Sequence, residues 1–277
     1  MPSRAVPEVT GFGDFIMADR TLLNADGKAG HALLVPVSIL AGLLGWALFV
    51  RWSGLPAFIL PSPGQVWATL VERLADGSLL FHFGITLVEV LAGLALGLVV
   101  ASVLGYLLAK SPAAERLLSP YIVASQAVPV VAIAPLLIIW FGPGMLSKVL
   151  ICSLIVFFPV LVNIIVGIRS VPENLHALMR SLNANRTQTF LKLEVPAALP
   201  VLLGGLRIGA TLSVIGAVVG EYIGSDRGLG FLVRLGDGSY NTALVFVAVI
   251  ALVLMALGLY AAVVALERRL LRWQRIG

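Results

Sequence analysis

Long apolar runs separated by short polar connections make up most of the 277-residue chain. Six runs approach or exceed the length of about 20 residues that a helix needs to cross a bilayer. They lie at about 32–50, 83–109, 121–141, 145–168, 198–224 and 242–266. The pattern predicts an all-α polytopic membrane protein with six transmembrane helices between a polar tail (1–31) and a basic C-terminus (267–277).

Composition agrees with this class of protein. Hydrophobic residues form 59% of the chain, charged residues form 12%, and the mean hydropathy is +1.02. Soluble domains contain about half apolar and a quarter charged residues. The first run is too long for the apolar core of a signal peptide, so we expect it to remain uncleaved. The single cysteine, Cys152, excludes a disulfide framework.

Lysine and arginine are distributed unevenly between the two sides of a six-span topology. The tail, the connection 110–120, the loop 169–196 and the C-terminus carry 13, whereas the three connections on the other side, counted with Lys148 at the start of the fourth run, carry five. Cytoplasmic connections are enriched in basic residues, so both termini and the loop 169–196 are predicted to be cytoplasmic. The same bias accounts for the formal net charge of +5 without a nucleic-acid partner, and the basic C-terminus suits an anionic lipid surface.

Small residues recur at four-residue intervals in the second and fifth predicted spans. The stripes consist of Gly93, Gly97, Ala101 and Gly105 in the second span, and of Gly205, Gly209, Gly216, Gly220 and Gly224 in the fifth. Such stripes let neighbouring helices approach closely. We therefore expect these two spans to be the central, crowded helices. An alternative is that the glycines line a moving pathway.

The third predicted span contains two prolines, Pro129 and Pro135. Each removes a backbone donor and bends or breaks a helix. Irregular backbone at membrane depth is tolerated beside protein or a water-filled cavity. The span is therefore expected to border a cavity, with Pro129 as a candidate pathway residue.

Three ionisable residues inside the spans are candidate functional residues, because a charge at the centre of a span costs about 2.5–3.5 kcal/mol on insertion scales. Arg207 lies near the cytoplasmic end, where it can reach lipid phosphates. Glu221 lies near the outer end and is expected to cap an outer mouth, to pair with Arg227, or to serve as a gate. Glu89 lies about 9 Å from its helix start and can reach the interface.

Two neutral residues, Gln126 and Asn163, are candidates for hydrogen-bonding a substrate, with interhelical bonding as the alternative. No catalytic constellation is evident. His31, His82 and His176 fall on different sides of the predicted topology, without acidic or cysteine partners at metal spacing. The chain also lacks the Gly-x-x-x-x-Gly-Lys-Ser/Thr motif. It is therefore not expected to be an enzyme, or to bind ATP, another cofactor or a metal itself.

The loop 169–196 has its own helical pattern. After Pro172, a short helix is predicted from Glu173 to Leu182. Its apolar positions follow the helical spacing i, i+3, i+4 and i+7; they are Leu175, Leu178, Met179 and Leu182. Asn183 follows, and asparagine tolerates the left-handed conformation that ends a helix. A second helical stretch is expected from about Arg186 to Glu194, ending before Pro196.

This loop resembles the cytoplasmic coupling loop of ABC importer permeases. The family pattern is Glu-Ala-Ala, three residues, Gly, nine residues, and Ile-x-Leu-Pro. The corresponding positions here are Ala177, Leu178, Met179, Asn183, Leu193, Val195 and Pro196. The spacing is kept, Ala177 replaces the usual glutamate, and Asn183 replaces the glycine. The stretches QAVPVVAIAPLLIIWFGPG, PAALPVLLGGLRIG and VVGEYIGSDRGLGFLV further resemble the nitrate, sulfonate and taurine branch, so the resemblance extends over nearly the whole chain beyond residue 60.

The resemblance implies a type I importer transmembrane domain in a bacterial inner membrane. It implies a homodimer of the permease, two ATP-binding subunits that carry ATP and magnesium, and an extracytoplasmic solute-binding protein. The helix from Glu173 to Leu182 would rest in a groove of the ATPase, and closure of the ATPase pair would turn the translocation cavity outward. The loop would transmit the movement of the ATPase pair to the translocation cavity and would carry out no catalysis itself.

The segment VIGAVVGEYIGSDRGLG most resembles permeases for ring-containing vitamins or their precursors. Riboflavin is the first expectation and hydroxymethylpyrimidine the second. A sulfonate, taurine or nitrate importer of the same branch is the alternative. A secondary transporter is a more remote one, since the two halves of the chain lack visible self-similarity.

Overall fold

The computed structural model describes residues 27–272, and side chains from residue 36 onward. The tail before residue 27, the last five residues and the side chain of His31 lie outside the described residues. Eleven helices are numbered in the described part. They are α1 (Gly27–Ser53), α2 (Pro63–Ala75), α3 (Ser78–Lys110), α4 (Pro112–Gln126), α5 (Val130–Phe141), α6 (Met145–Arg169), α7 (Glu173–Ser181), α8 (Arg186–Thr189), α9 (Val195–Gly224), α10 (Leu229–Gly238) and α11 (Thr242–Leu270).

The chain divides into two compact units. Helix α1 belongs to the first unit, and nearly all of the chain from Gly64 onward belongs to the second. Five helices of the described part are long and apolar enough to cross a membrane; they are α1, α3, α6, α9 together with the turns that precede it, and α11. The bent pair α4 and α5 would make a sixth span.

Helix α6 is the centre of the second unit, packed between α3 and α9. A Cβ atom at Gly93 of α3 would lie 2.2 Å from Cβ of Cys152, and one at Gly216 of α9 would lie 2.7 Å from Cα of the same residue. The glycines therefore let α3 and α9 both approach α6 closely. Close packing of α3 and α9 is confirmed, and so is their central position, since each contacts α6, α10 and α11 as well as the other. Helix α6 joins them as a third central helix, which the glycine pattern did not predict.

The third predicted span is not one continuous helix. Helices α4 and α5 meet at an angle of 92°, and Pro129 stands immediately before α5 in extended conformation. Proline disfavours helical conformation in the residue before it and removes a backbone donor, so the chain turns here. Pro135, in contrast, lies inside α5 without ending it. The predicted break of the span is therefore confirmed at Pro129, whereas α5 continues through Pro135.

The second helical stretch of the loop does not end before Pro196. Helix α8 continues through a π-helical turn, Phe190–Glu194, directly into α9. The amide of Val195 bonds to the carbonyl of Phe190 across this wider turn. Pro196 then occupies the first turn of α9. The loop and the fifth span thus form one continuous rod.

Candidate functional site

Helix α7 stands at one end of the second unit, which we call the loop end, and none of its residues is buried. Leu178 is 52% exposed and Leu182 is 67% exposed, so this apolar stripe has no cover within the described chain. Ala177 is exposed on the same short helix. Arg180 donates to Glu173 at 2.8 Å. The Arg180 side chain holds the pKa of the Glu173 carboxyl below its ordinary value.

The turn after α7 is a Schellman motif. The amide of Asn183 donates to the carbonyl of Arg180, and the amide of Ala184 donates to Met179, both at 3.0 Å. Asn183 has φ 53°, in the left-handed region. The prediction that this asparagine adopts the helix-ending conformation is confirmed.

A capping box starts α8 two residues later. The side chain of Asn185 accepts from the amide of Gln188 at 2.8 Å, and the side chain of Gln188 accepts from the amide of Asn185 at 2.9 Å. Two otherwise unmatched amides are thereby satisfied. Arg186 opens α8 and is exposed. The elbow between α7 and α8 is therefore fixed by local hydrogen bonds.

Ion pairs hold the base of the loop against α3 and α4. Lys110 at the end of α3 bonds to the buried carboxylate of Glu194 in the π turn. Arg169 at the end of α6 pairs with Glu115 of α4 and also donates to the carbonyl of Leu108 at 3.4 Å. These contacts tie the rod formed by the loop and α9 to the spans beside it.

The predicted pathway residues are scattered. Gln126 and Pro129 lie exposed at the break between α4 and α5. Asn163 donates to the carbonyl of Pro159 at 2.7 Å, within its own helix, and its Cβ faces Gly205 of α9. Its bond is thus intrahelical, and the structure does not bring it together with Gln126.

Arg207 forms an ion pair with Glu267 of α11 and stacks over the ring of Tyr260, 5.4 Å from its centroid. The expectation that it reaches lipid phosphates is therefore wrong, since a carboxylate on the neighbouring helix supplies the partner. Arg207 and Glu267 are exposed by only about a third and a quarter. This pair joins α9 to α11 near the loop end.

The other end of the second unit, which we call the far end, contains a buried polar cluster that the sequence did not reveal. Glu89 is 2% exposed and Lys148 is 5% exposed. Oε1 of Glu89 accepts from Nζ of Lys148 at 2.9 Å, and Lys148 also donates to Oγ of Ser225 at 2.6 Å. The expectation that Glu89 reaches the membrane interface is wrong, because α6 supplies a buried counter-charge.

Glu221 belongs to the same cluster and is fully buried. Its carboxylate accepts from Oγ1 of Thr86 at 2.7 Å and from the amide of Gly230 at 2.6 Å. Arg227 instead approaches Asp226, at 3.6 Å. The predicted pairing of Glu221 with Arg227 is therefore wrong: its partners lie on α3 and α10.

Hydrogen bonds to α3 also hold the connection that leads into α10. Oγ1 of Thr86 accepts from the amide of Leu229 at 2.8 Å, and Nδ1 of His82 accepts from the amide of Gly228 at 2.9 Å. Gly228 has φ 101°, a conformation that glycine adopts without strain. Sequence reasoning missed Lys148 and Thr86. The available signal was that Lys148 stands within one turn of the start of an apolar run while Glu89 stands in another.

The described residues include no group of three or more His, Cys, Asp or Glu side chains placed to hold a metal ion. Cys152 is buried between α3 and α9. What the arrangement offers is an exposed amphipathic helix at the loop end and a buried ionic cluster at the far end, with the rigid helices α3, α6 and α9 between them.

Comparison with known proteins identifies the family. Residues 93–272 match the family model described as binding-protein-dependent transport system inner membrane component. The chain is 46% identical over 243 residues to the riboflavin transport system permease protein RibX of Chloroflexus aurantiacus, covering 88% of this chain and 91% of the relative. It is 36% identical to the formylaminopyrimidine transport permease protein ThiX of Halalkalibacterium halodurans, covering 83% and 91%.

A more distant relative and a solved structure complete the comparison. The taurine transport system permease protein TauC of Escherichia coli is 31% identical, with 86% of this chain and 90% of the relative covered. The inward-facing MetNI methionine ABC transporter matches with a TM-score of 0.64 at 17% identity, covering 72% of this chain and 98% of that chain. This likeness shows the fold of a type I ABC importer transmembrane domain.

Family membership implies ATP-binding subunits and a solute-binding protein as partners. It also makes the chain a membrane-embedded transport subunit rather than an enzyme, as the sequence predicted. With the family model covering more than half of the chain, the protein belongs to the binding-protein-dependent inner membrane components, the permease subunits of ABC importers.

Proposed function

We propose that this permease imports a ring-containing vitamin, with riboflavin first and a pyrimidine precursor such as hydroxymethylpyrimidine second. The observation that carries this proposal is the order of identity among relatives. It falls from 46% for the riboflavin permease, through 36% for the formylaminopyrimidine permease, to 31% for the taurine permease. A sulfonate, taurine or nitrate cargo is the alternative within the same branch.

The working unit is proposed to be a homodimer with two ATP-binding subunits, which carry the ATP and magnesium in place of this chain. Two features support this assembly, one on α4 and one on α7. Helix α4 contains no buried residue although it continues an apolar stretch, and a cavity of 660 Å³ lies beside it, lined mainly by leucine, tyrosine and phenylalanine side chains. A second permease copy would cover this surface. The exposed leucines of α7 would occupy a groove on the ATPase.

In this proposal, transport is a shift of the permease between two conformational states, driven through the contacts described above. ATP-driven closure of the ATPase pair would draw the two α7 helices together, and each α9 would move with its α7 because the elbow and the π turn are continuous. Driving such an equilibrium from 1:99 to 99:1 requires about 5.5 kcal/mol of differential binding. ATP and the loaded binding protein would supply it together.

The substrate test is uptake by the reconstituted importer. Permease, ATPase and cognate binding protein are placed in vesicles, and radiolabelled riboflavin, hydroxymethylpyrimidine, taurine and nitrate are supplied one at a time with and without ATP. The proposal expects ATP-dependent accumulation of riboflavin or the pyrimidine. Accumulation of taurine or nitrate alone would favour the alternative. Binding of the same four solutes by the isolated binding protein gives an independent measurement.

The proposed orientation places both termini and α7 in the cytoplasm of a bacterium, as the distribution of basic residues predicts. The only cysteine, Cys152, is buried, so single introduced cysteines report cleanly. Ser181→Cys, at the end of α7, should react with a membrane-impermeant maleimide only in inside-out vesicles. Ser239→Cys, between α10 and α11, should react only in right-side-out cells. The reverse pattern would invert the topology.

A further inference from the structure

A cavity of 570 Å³ opens beside the buried ion pair at the far end. Its walls are largely apolar and include Phe81, Ile85 and Val88 of α3 and Met145 of α6. The polar groups in its lining include Glu89, Lys148, Asp226 and Arg227. Small-molecule sites have this character, since they measure about 300–1,000 Å³ and combine apolar walls with a few polar groups. We call this space the Glu89 cavity.

The ion pair that lines the Glu89 cavity retains unused hydrogen-bonding capacity. Oε1 of Glu89 accepts from Lys148, but Oε2 is buried and has no hydrogen-bond partner among the residues that the structure describes. The Lys148 ammonium has three N–H donors, and its recorded bonds, to Glu89 and Ser225, use two of them. A buried acceptor without a donor costs free energy, so a ligand that supplies one is favoured.

The charges around the cavity select the kind of ligand. The buried carboxylate of Glu89 is paired with the buried ammonium of Lys148, and Glu221 lies outside the cavity lining. Both oxygens of Glu221 are already bonded, to Thr86 and Gly230. The lining itself carries two carboxylates, Glu89 and Asp226, and two cations, Lys148 and Arg227, so it offers an anion no net positive charge. Nitrate and unsubstituted alkyl sulfonates also present only acceptors, and Oε2 of Glu89 cannot bond to an acceptor.

An acceptor and a donor next to each other on one ion pair complement a ring edge with N–H beside a carbonyl or ring nitrogen. The imide edge of a flavin has this pattern, and so does the amidine edge of an aminopyrimidine. We propose that the Glu89 cavity is a transient cargo site for such rings, with Oε2 of Glu89 accepting the ring N–H and Lys148 donating to the neighbouring acceptor. The proposal rests on the proposed function and deepens it by naming the groups that distinguish such rings from nitrate and unsubstituted alkyl sulfonates.

Substitution of Glu89, combined with methylation of the flavin, tests the hydrogen bond between Oε2 of Glu89 and the ring N–H. The importer in lipid nanodiscs, without its binding protein, is titrated with riboflavin and with N3-methylriboflavin, which lacks the imide N–H. The unmodified permease should bind riboflavin about tenfold or more tightly than the methylated flavin. Glu89→Gln should remove most of this preference. Equal affinities for both flavins in the unmodified permease, as water alone in the cavity would give, or a preference that survives Glu89→Gln, would overturn the proposal.

A second test fills the cavity without touching the ion pair. A Cβ atom at Gly84, which lines the cavity, meets no heavy atom within 4 Å. Gly84→Leu should therefore weaken flavin binding about tenfold or more while the variant folds normally. Gly258→Leu, on α11, also meets open space and is the matched control. Equal flavin affinity in both leucine variants would show that the cargo does not use this cavity.

Uptake in vesicles separates failure of the site from failure of the proposed function. Normal riboflavin uptake by the unmodified importer and by Gly84→Leu would refute the site and leave riboflavin import intact. ATP-dependent uptake of taurine or nitrate without uptake of riboflavin or hydroxymethylpyrimidine would refute both. Riboflavin uptake that Gly84→Leu reduces and Gly258→Leu does not reduce supports the site.

Discussion

Two ion pairs with nearly equal lengths mark the two ends of this permease. Arg180 and Glu173 lie 2.8 Å apart at the loop end, with side chains 67% and 77% exposed, whereas Lys148 and Glu89 lie 2.9 Å apart at the far end, with side chains 6% and 2% exposed. Water solvates and screens the charges of the first pair. In the second pair, which is buried, each charge depends on the opposite charge for its stabilisation. Burial rather than distance therefore decides how much each ion pair contributes to the stability of the fold.

The two ends also differ in how their structure is specified. At the loop end, helix spacing, the Schellman turn and the capping box involve residues within seven positions of each other. At the far end, Glu89 and Lys148 are 59 positions apart, and Thr86 and Glu221 are 135 apart. The loop end presents an exposed amphipathic helix. The far end is a buried cluster that holds α3, α6, α9 and α10 together.

The largest expected effect comes from breaking the buried pair. Lys148→Met leaves Glu89 without its counter-charge and should destabilise the protein by about 3–5 kcal/mol. The double variant Glu89→Leu/Lys148→Met should recover much of this loss, since no unpaired charge remains. Thermal unfolding of the detergent-solubilised permease measures both. If the single and double variants melted together, the pair would not carry the assigned role.

The next effect concerns the helix packing between the two ends. Gly93→Ala places a Cβ atom 2.2 Å from that of Cys152 and should cost about 1–3 kcal/mol through overpacking. Gly258→Ala meets nothing within 4 Å and should be neutral or slightly stabilising, because alanine favours helix. The same melting experiment compares them. Equal melting temperatures would contradict the close contact between α3 and α6.

A smaller effect is expected at the turn after α7. Asn183 has φ 53°, so Asn183→Val should cost about 1–2 kcal/mol locally, whereas Asn183→Gly should be mild. Strain in the elbow should reduce cargo transported per ATP hydrolysed more than it reduces hydrolysis itself. Parallel assays of ATPase activity and uptake in vesicles measure this ratio. Equal ratios in both variants would remove the elbow from the coupling mechanism.

The smallest effect is expected for the exposed pair. Arg180 lowers the pKa of Glu173, so any contribution of the pair is present above the ordinary glutamate pKa of about 4.3 and is lost as the pH falls through the lowered value. Glu173→Gln should therefore leave the melting temperature at pH 7 unchanged. The rate of hydrogen exchange of the α7 amides should rise slightly in this variant, and only at a pH above the pKa of Glu173 in the unmodified protein. A clear change in melting temperature would mean that the pair is buried in the assembled importer.

The sequence predicted several features because local physics determines them. The apolar runs correspond to long helices such as α3, α6 and α11, since a helix satisfies its own backbone in lipid. The left-handed Asn183 followed from the end of an amphipathic repeat. The four-residue glycine stripes predicted close packing, and helices do approach Gly93 and Gly216 closely.

The errors at charged residues share one cause, which is that the sequence does not show which side chains on other helices will face them. Arg207 was expected to reach lipid but bonds to Glu267, and Glu221 was expected to pair with Arg227 but bonds to Thr86 and Gly230. Similarly, α6 shares the centre with α3 and α9, although it lacks their glycine stripes. Partners on other helices cannot be identified from spacing within one helix.

The sequence by itself determined the membrane class, the long helices, the coupling elbow and the family to which the chain belongs. The length of an apolar run, helical periodicity and turn preference depend on residues close together in the chain, so they can be predicted from the sequence. Only the tertiary structure decided that α6 joins α3 and α9 at the centre, that the third span breaks at Pro129, and that Glu89, Lys148, Glu221 and Thr86 meet in one buried cluster. Those outcomes depend on which helices face each other, and desolvation then requires every buried charge to find its partner there.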